Sequence, residues 1–331
     1  MKSPEEPPVF HPGECRLQAR VGVRDRMAAI GENAIRTSMP EQHRTFFAQL
    51  PFVMVGSMDA EGQPWASVLP NPPGFISSPD ARHLLIRARP AVFDPLRETL
   101  ATGAPIALLG IEQATRRRNR MNGRVERMDD DGFLVGVQQS FGNCPKYIQA
   151  RQVEYQAIES PGAVHSATVH FATALNEATR QIVARADTLF IATAHPDANH
   201  GTARSHGVDV SHRGGKPGFV RAEGDDTLIL PDFAGNRFFN TLGNIMLNPR
   251  AGLLFIDFET GDLLYIAADA QIVFDSPEVD ACAGAERLLR FGIRHVRHVV
   301  GALPLRWSDE VQISPFLANT GDWRRPERAP A

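Results

Sequence analysis

Between Val210 and Arg221 the chain reads VSHRGGKPGFVR, which gathers Ser211, His212, Arg213, Gly214, Gly215, Lys216 and Arg221 into one short stretch. Downstream, PDFAGNRFF adds Gly235, Asn236 and Arg237. Glycines let backbone N–H groups turn toward a ligand, and a helix opening near Asn236 would add its unpaired N–H groups and the positive end of its dipole. Arg213, Arg221 and Arg237 offer forked donors, and Lys216 a point charge. Residues of these types at this spacing form a cradle for an anion, and a phosphate monoester with close to two negative charges suits it.

The remaining composition makes that cluster local. The 331 residues are 43% hydrophobic and 22% charged, with a formal net charge of −3, so no overall field draws the chain to nucleic acid or to an acidic membrane. The run RRRNR, Arg116 to Arg120, lacks the interleaved aromatics of a nucleic-acid patch. As a strand it would put Arg116, Arg118 and Arg120 on one face and Arg117 and Asn119 on the other. The cysteines, Cys15, Cys144 and Cys282, stand far apart without a CxxC pair, which argues against a disulfide framework and a zinc ribbon. His195, His200, His206 and His212 match no common zinc spacing, so no metal is expected. Cys144 has no assigned base, and Pro145 after it reads as a tight turn at the start of a helix rather than as part of a nucleophilic site. No stretch approaches the ~20 apolar residues of a membrane span, and no targeting segment stands out, so a reducing cytoplasm is the expected setting.

The cradle must be held by a repeated unit. From Leu50 the pattern is strand, turn, strand, loop and two further strands, and it returns from Thr188. Asp59 and Gly62 of the first turn fall opposite Asp197 and Gly201 of the second, and both copies reach Pro-Gly-Phe, ending at Phe75 and Phe219. Each copy continues into an amphipathic helix (from Asp94; from Asn236), an apolar strand (PIALLGI; AGLLFID) and a further strand. Two β-rich barrels, mainly β with peripheral helices, are expected. The boundaries read as a helical lead (1–50), the first repeat (51–150), a linker helix (151–186), the second repeat with the cradle (187–275), and a C-terminal helix and tail (276–331). In the lead, Ser38 is the expected cap of a helix over PEQHRTFFAQL, and SPEVDACAGAERLLRFG is expected to be helical. The first copy lacks the cradle, and Asp94 stands near where Arg237 would fall, so one anion per chain is expected.

The run GFVRAEGDDTLILPDFAGNRFFNTLGNIMLNPRAGLLFIDF resembles the FMN-binding split barrel of the pyridoxamine 5′-phosphate oxidase-like superfamily, and NPPGF, the RRRNR strand and QSFGNCPKYIQAR resemble the front half of its tandem members. The resemblance spans about Glu41 to Phe274. It implies two tandem split barrels forming an intrachain pseudo-dimer with one FMN between them. Phe219, Val220 and Arg221 would flank the flavin, Ser211, Arg213, Gly214 and Lys216 would lie toward the phosphate, Leu230 and Pro231 would follow on the next strand, and Asn236 and Arg237 would hold the phosphate. The first copy would act as the partner subunit, with Arg116 or Arg118 near the ring and Lys146 and Tyr147 closing over it. No match to the substrate-phosphate residues of the oxidase itself is present. The implied activity is an FMN-dependent oxidoreductase of undefined substrate, with NAD(P)H, a reduced carrier or a deazaflavin as electron partner, no catalytic side chain assigned, and association into a homodimer possible. The alternatives are a flavin carrier or sensor, with Trp65, Tyr147 or Trp323 covering the ring, and a haem-binding or haem-degrading split barrel.

Overall fold

Every residue of Phe52–Met58 and of Thr188–Ala194 is buried, so each of these strands is covered on both faces. Alternation explains how. In the first, Val53 and Val55 point into one apolar core while Phe52, Met54 and Met58 point into another; in the second, Leu189 and Ile191 divide in the same way from Phe190, Ala192 and Ala194. The shared cluster is the seam between two barrels.

The computed structural model describes residues 8–156, 167–321 and 323. The first seven strands are β1 (Phe52–Met58), β2 (Pro64–Pro70), β3 (Ile76–Asp80), β4 (His83–Ile86), β5 (Pro105–Glu112), β6 (Arg117–Met128) and β7 (Phe133–Gly142). After β8 (Val153–Tyr155) and β9 (Thr168–Ala172) the series returns as β10 (Thr188–Ala194), β11 (Val208–Gly214), β12 (Arg221–Glu223), β13 (Thr227–Phe233), β14 (Arg250–Ile256), β15 (Leu263–Val273) and β16 (Ala285–Val300), and β17 (Leu305–Trp307) pairs with β8. The sheet orders are β2-β1-β5-β6-β7-β4-β3 and β11-β10-β14-β15-β16-β13-β12, identical strand for strand. The expected repeat is therefore present, and the fold is mainly β with peripheral helices. Each sheet curls about its own core: residues of β1, β2, β4, β5, β6 and β7 meet in one cluster, as do those of β10, β13, β14, β15 and β16 in the other, while Val208 and Val210 of β11 join the seam cluster. Phe75 and Phe219, the ends of the two Pro-Gly-Phe turns, sit in the respective cores.

The barrels meet through β1, β2 and β5 against β10, β11 and β14, and glycine permits the closest approach. A Cβ on Gly252 would stand 2.3 Å from the Pro64 carbonyl oxygen and 2.7 Å from Trp65 Cα, both backbone atoms.

The helices are α1 (Pro12–Arg20), α2 (Arg24–Ala34), α3 (Glu41–Ala48), α4 (Leu96–Thr99), α5 (Glu177–Arg185), α6 (Asn240–Leu247) and α7 (Pro277–Asp280). Four features add to or correct the sequence expectations. First, α1 is a further helix of the expected lead, in a segment that offers no Ser, Thr, Asp or Asn cap: His11 caps it, accepting from Gly13 N while Glu14 accepts from His11 N at 2.8 Å. Second, Pro40, not Ser38, precedes α3, and its cap makes no side-chain hydrogen bond. Third, the expected C-terminal helix shrinks to α7, and Ala285–Val300 is a long strand. Leu289, Phe291 and Ile293 enter the second core with period two, so the second sheet runs on past residue 275 to Val300. Fourth, among the described residues of the linker only α5 is helical, and residues 168–172 form β9, which pairs along β16. Among the described residues no helix is long and apolar enough to cross a membrane.

Candidate functional site

Three elements converge on one pocket at the seam. β6 of the first barrel brings Arg118 and Arg120. β11 of the second brings Ser211, His212 and Arg213, and the loop from Phe233 into the first turn of α6 brings Gly235, Asn236, Arg237 and Asn240. The space amounts to about 600 Å3, counting the part open to solvent. A smaller pocket of about 410 Å3 adjoins it, lined by Lys146, Tyr147, Gly214 and Pro231 and sharing Arg118, His212 and Arg213.

Charge is abundant here and largely paired. Arg120 and Asp209 are almost wholly buried and lie 2.6 Å apart. Arg120 also donates to Ser211 Oγ at 2.6 Å and to Asn240 Oδ1 at 3.1 Å, while Asp209 accepts from the Ser211 and Thr241 hydroxyls. Arg213 reaches Asp232 at 2.8 Å, and Arg237 forks onto Glu286 at 2.5 and 2.6 Å. Arg287 braces both acids from behind. Arg118 donates to the Cys144 carbonyl at 2.7 Å, and burial followed by the neighbouring Arg120 pulls it down to about 9, so it stays charged at neutral pH. Five guanidiniums (118, 120, 213, 237 and 287) thus face three carboxylates, Asp209, Asp232 and Glu286. Two positive charges are left over. Arg120 Nε, Asn143 Nδ2, Arg213 Nε and both His212 ring nitrogens are buried without a hydrogen-bond partner, a group of polar atoms that calls for an external one.

The sequence-derived candidates divide. The structure brings Arg118, Ser211, Arg213, Asn236 and Arg237 into the larger pocket, and Lys146, Tyr147, Gly214 and Pro231 into the smaller one, where Lys146 and Tyr147 both donate to the Ala234 carbonyl. It does not bring Lys216, Phe219, Val220, Arg221 or Leu230 among the lining residues. Phe219, Val220 and Leu230 are core residues, because the Pro-Gly-Phe turn folds inward in both copies. Arg221 is drawn to Glu223 and Glu278 at 2.5 and 2.7 Å and lies under the Trp323 ring. Lys216 sits in the turn that closes with Phe219 N on its carbonyl. α6 opens at Asn240 rather than Asn236: Asn236 Oδ1 accepts from Phe238 N, and Arg237 and Phe239 both take positive φ, 65° each. Arg116 takes φ 56° at the turn before β6 and bonds to the Ile148 and Gln312 carbonyls, so it leaves the face it was expected to share with Arg118 and Arg120. No helix follows Pro145; the chain turns there instead.

Residues that sequence reasoning missed are Asn143, Asp232, Glu286 and Glu14; His212 was gathered into the basic stretch but given no role. Glu286 was hidden by the mistaken helix. Glu14 donates nothing to the pocket directly but accepts from Asn240 Nδ2 at 2.5 Å, and burial raises its carboxyl to about 8. An acid whose folded pKa is raised loses stability as pH climbs from its ordinary value to its folded one, because the unfolded chain ionises first. His11 and His195, depressed by burial to about 3 and about 4, stop contributing to the pH dependence above about 6.5. Between pH 6.5 and 8 stability should therefore fall by up to ~1.4 kcal/mol per unit on account of Glu14. Chemical denaturation of wild type and Glu14→Gln across that window checks this: an equal slope in both removes Glu14 as the cause.

The pseudo-symmetric mate of the pocket is closed. Matching registers place Ser67 opposite Ser211 and Tyr265 opposite Arg120. There the chain supplies its own anion: Asp94 accepts from Ser67 Oγ at 2.5 Å, Tyr265 OH at 2.9 Å and Leu96 N at 2.8 Å, and burial raises it to about 6. The nearest approach to a metal-ligating group among the described residues is His195, Asp197 and His206. The two imidazoles stack face to face, 3.8 Å between centroids and 9° between planes, so their in-plane lone pairs run parallel and do not converge on one ion.

Residues 39–161 match the family described as pyridoxamine 5′-phosphate oxidase. The resemblance read from the sequence is thus borne out over the first copy; the match ends before the second, from which most of the flavin-site residues were taken. No curated protein matches the chain. Solved structures similar to parts of it include HupZ of Group A Streptococcus (12% identity, 37% of this chain and 98% of that one, TM-score 0.29). A FAD-binding protein of Mesorhizobium loti (12%, 40% and 97%, 0.27) and an F420 reductase (15%, 37% and 95%, 0.26) are similar to the same extent. Likeness at this level shows where segments align and carries nothing about ligand or reaction.

Proposed function

We propose that this chain, which matches the pyridoxamine 5′-phosphate oxidase family over residues 39–161, is an FMN-dependent oxidoreductase holding one flavin between its two barrels. The observation that carries the reading is the seam pocket: two uncancelled positive charges and a set of unpartnered buried donors, contributed by both copies. A flavin phosphate carries close to two negative charges and accepts through three oxygens, so it fits that balance. Arg213 and Arg237 would hold the phosphate beside the first turn of α6, and Arg118 and Arg120 would favour negative charge on the ring. FMN, when bound, supplies hydride transfer at its ring, with NAD(P)H, a reduced carrier or a deazaflavin as the class of partner. Asp94 in the mate site supports one flavin per chain.

The carrier reading asks for a covered ring. Of its three expected covers, Trp65 is tied to Asp59 and Trp323 to the Phe219 carbonyl, both away from the lining residues, and Tyr147 alone borders the pocket. Among the described residues, two of the three covers that the carrier reading asks for are thus engaged elsewhere, which favours the enzyme.

Absorption spectra and FMN titration test the reading. Wild type is expected to bind about one FMN per chain, Arg237→Ala to bind it ~10- to 100-fold more weakly as a charge-assisted bond is lost, and Glu286→Gln to bind it more tightly because the competing carboxylate is gone. A protein that ignores FMN overturns the proposal, and an intense band near 400 nm on adding haem would move haem to the front.

A further inference from the structure

His212 takes no part in the ion pairs around the pocket. Its ring is 5% exposed, meets the edge of Phe190 at 5.7 Å between centroids, borders both pockets, and leaves both nitrogens without a partner. Burial, and then Arg118, Arg213 and Arg151 around it, hold its pKa well below the usual histidine range. The ring is therefore neutral, with one N–H and one lone pair. It cannot serve as a further charge for a phosphate. The Arg118 guanidinium and the unpartnered Asn143 amide line the same pocket and can donate there. One acceptor and two donors are the set that a cyclic imide takes up, with its N–H between two carbonyls.

We propose that His212 recognises the imide edge of a ring ligand, its unprotonated nitrogen accepting from the imide N–H while Arg118 and Asn143 donate to the flanking carbonyls. The inference rests on the flavin reading and deepens it. The ring edge is assigned to the His212 side of the pocket, and the phosphate to the side of Arg213 and Arg237. A buried acceptor left facing a methyl group instead of an N–H costs about tenfold or more in affinity.

The test is a chemical double-mutant cycle, read by flavin absorbance and fluorescence: FMN and N3-methyl-FMN titrated into wild type, His212→Phe and His212→Gln. Wild type is expected to prefer FMN by about tenfold or more, His212→Phe to bind the two alike, and His212→Gln, whose amide oxygen also accepts, to retain part of the preference. The same preference in His212→Phe as in wild type overturns the assignment. So does a wild type that binds both flavins equally, which decides the matter even if the phenylalanine variant fails to fold. A wild type that binds neither flavin overturns the flavin reading itself, a distinct result.

Discussion

Arg120→Ala is expected to lower stability by about 3–5 kcal/mol, the largest effect of any single substitution at the site. Arg120 and Asp209 are a buried pair whose side chains are 4% and 3% exposed, and alanine would leave Asp209 charged, desolvated and held by two hydroxyls alone. The cost comes from the stranded carboxylate and not from the worth of the pair, so Arg120→Met combined with Asp209→Leu should recover most of the loss. Ligand binding should stay weak in both, since the cation is gone. Urea unfolding of the two variants beside wild type checks the claim. A single variant within ~1 kcal/mol of wild type would show that the pair is not buried in solution.

Gly252→Ala tests the seam. The new methyl would stand 2.3 Å from a backbone oxygen of β2, which cannot rotate away, so β14 and β2 must separate. A loss of about 2–3 kcal/mol is expected from overpacking, with weaker flavin binding because the pocket is assembled from both barrels. Gly56 faces the same seam, but its nearest neighbours, Val208 Cγ1, Val210 Cβ and the Asp209 carbonyl oxygen, stand farther off at 3.1 to 3.2 Å and need give only a few tenths of an ångström. Gly56→Ala should cost markedly less. Thermal unfolding of the two variants in parallel separates the mechanisms: equal losses would mean that the seam yields wherever it is pressed.

The repeat was legible because its punctuation is covalent chemistry: the Pro-Gly-Phe turns and the two-sided apolar strands force the same path twice. The site was legible in part. Arginines stood out in a chain of low net charge, yet their partners did not, since Glu286 lies in a strand that reads as a helix in isolation. Arg221 and Arg213 look equivalent in sequence. Glu223 stands two residues from Arg221 on the same strand face, but only tertiary packing adds Glu278 to that pair and sets Arg213 beside Asp232 at the seam pocket. Glu14 was hidden because a histidine, rather than a common capping residue, begins its helix.

The register that sets Tyr265 opposite Arg120 also sets Leu263 opposite Arg118. A homodimer of the second barrel would therefore close its own cradle with leucine and tyrosine, and a homodimer of the first would present arginines to a face already filled by Asp94. Neither half can rebuild the pocket with a copy of itself. Covalent fusion does more than raise the local concentration of two similar units: it fixes the single pairing in which each supplies what the other has lost, so the halves expressed apart should complement only when mixed.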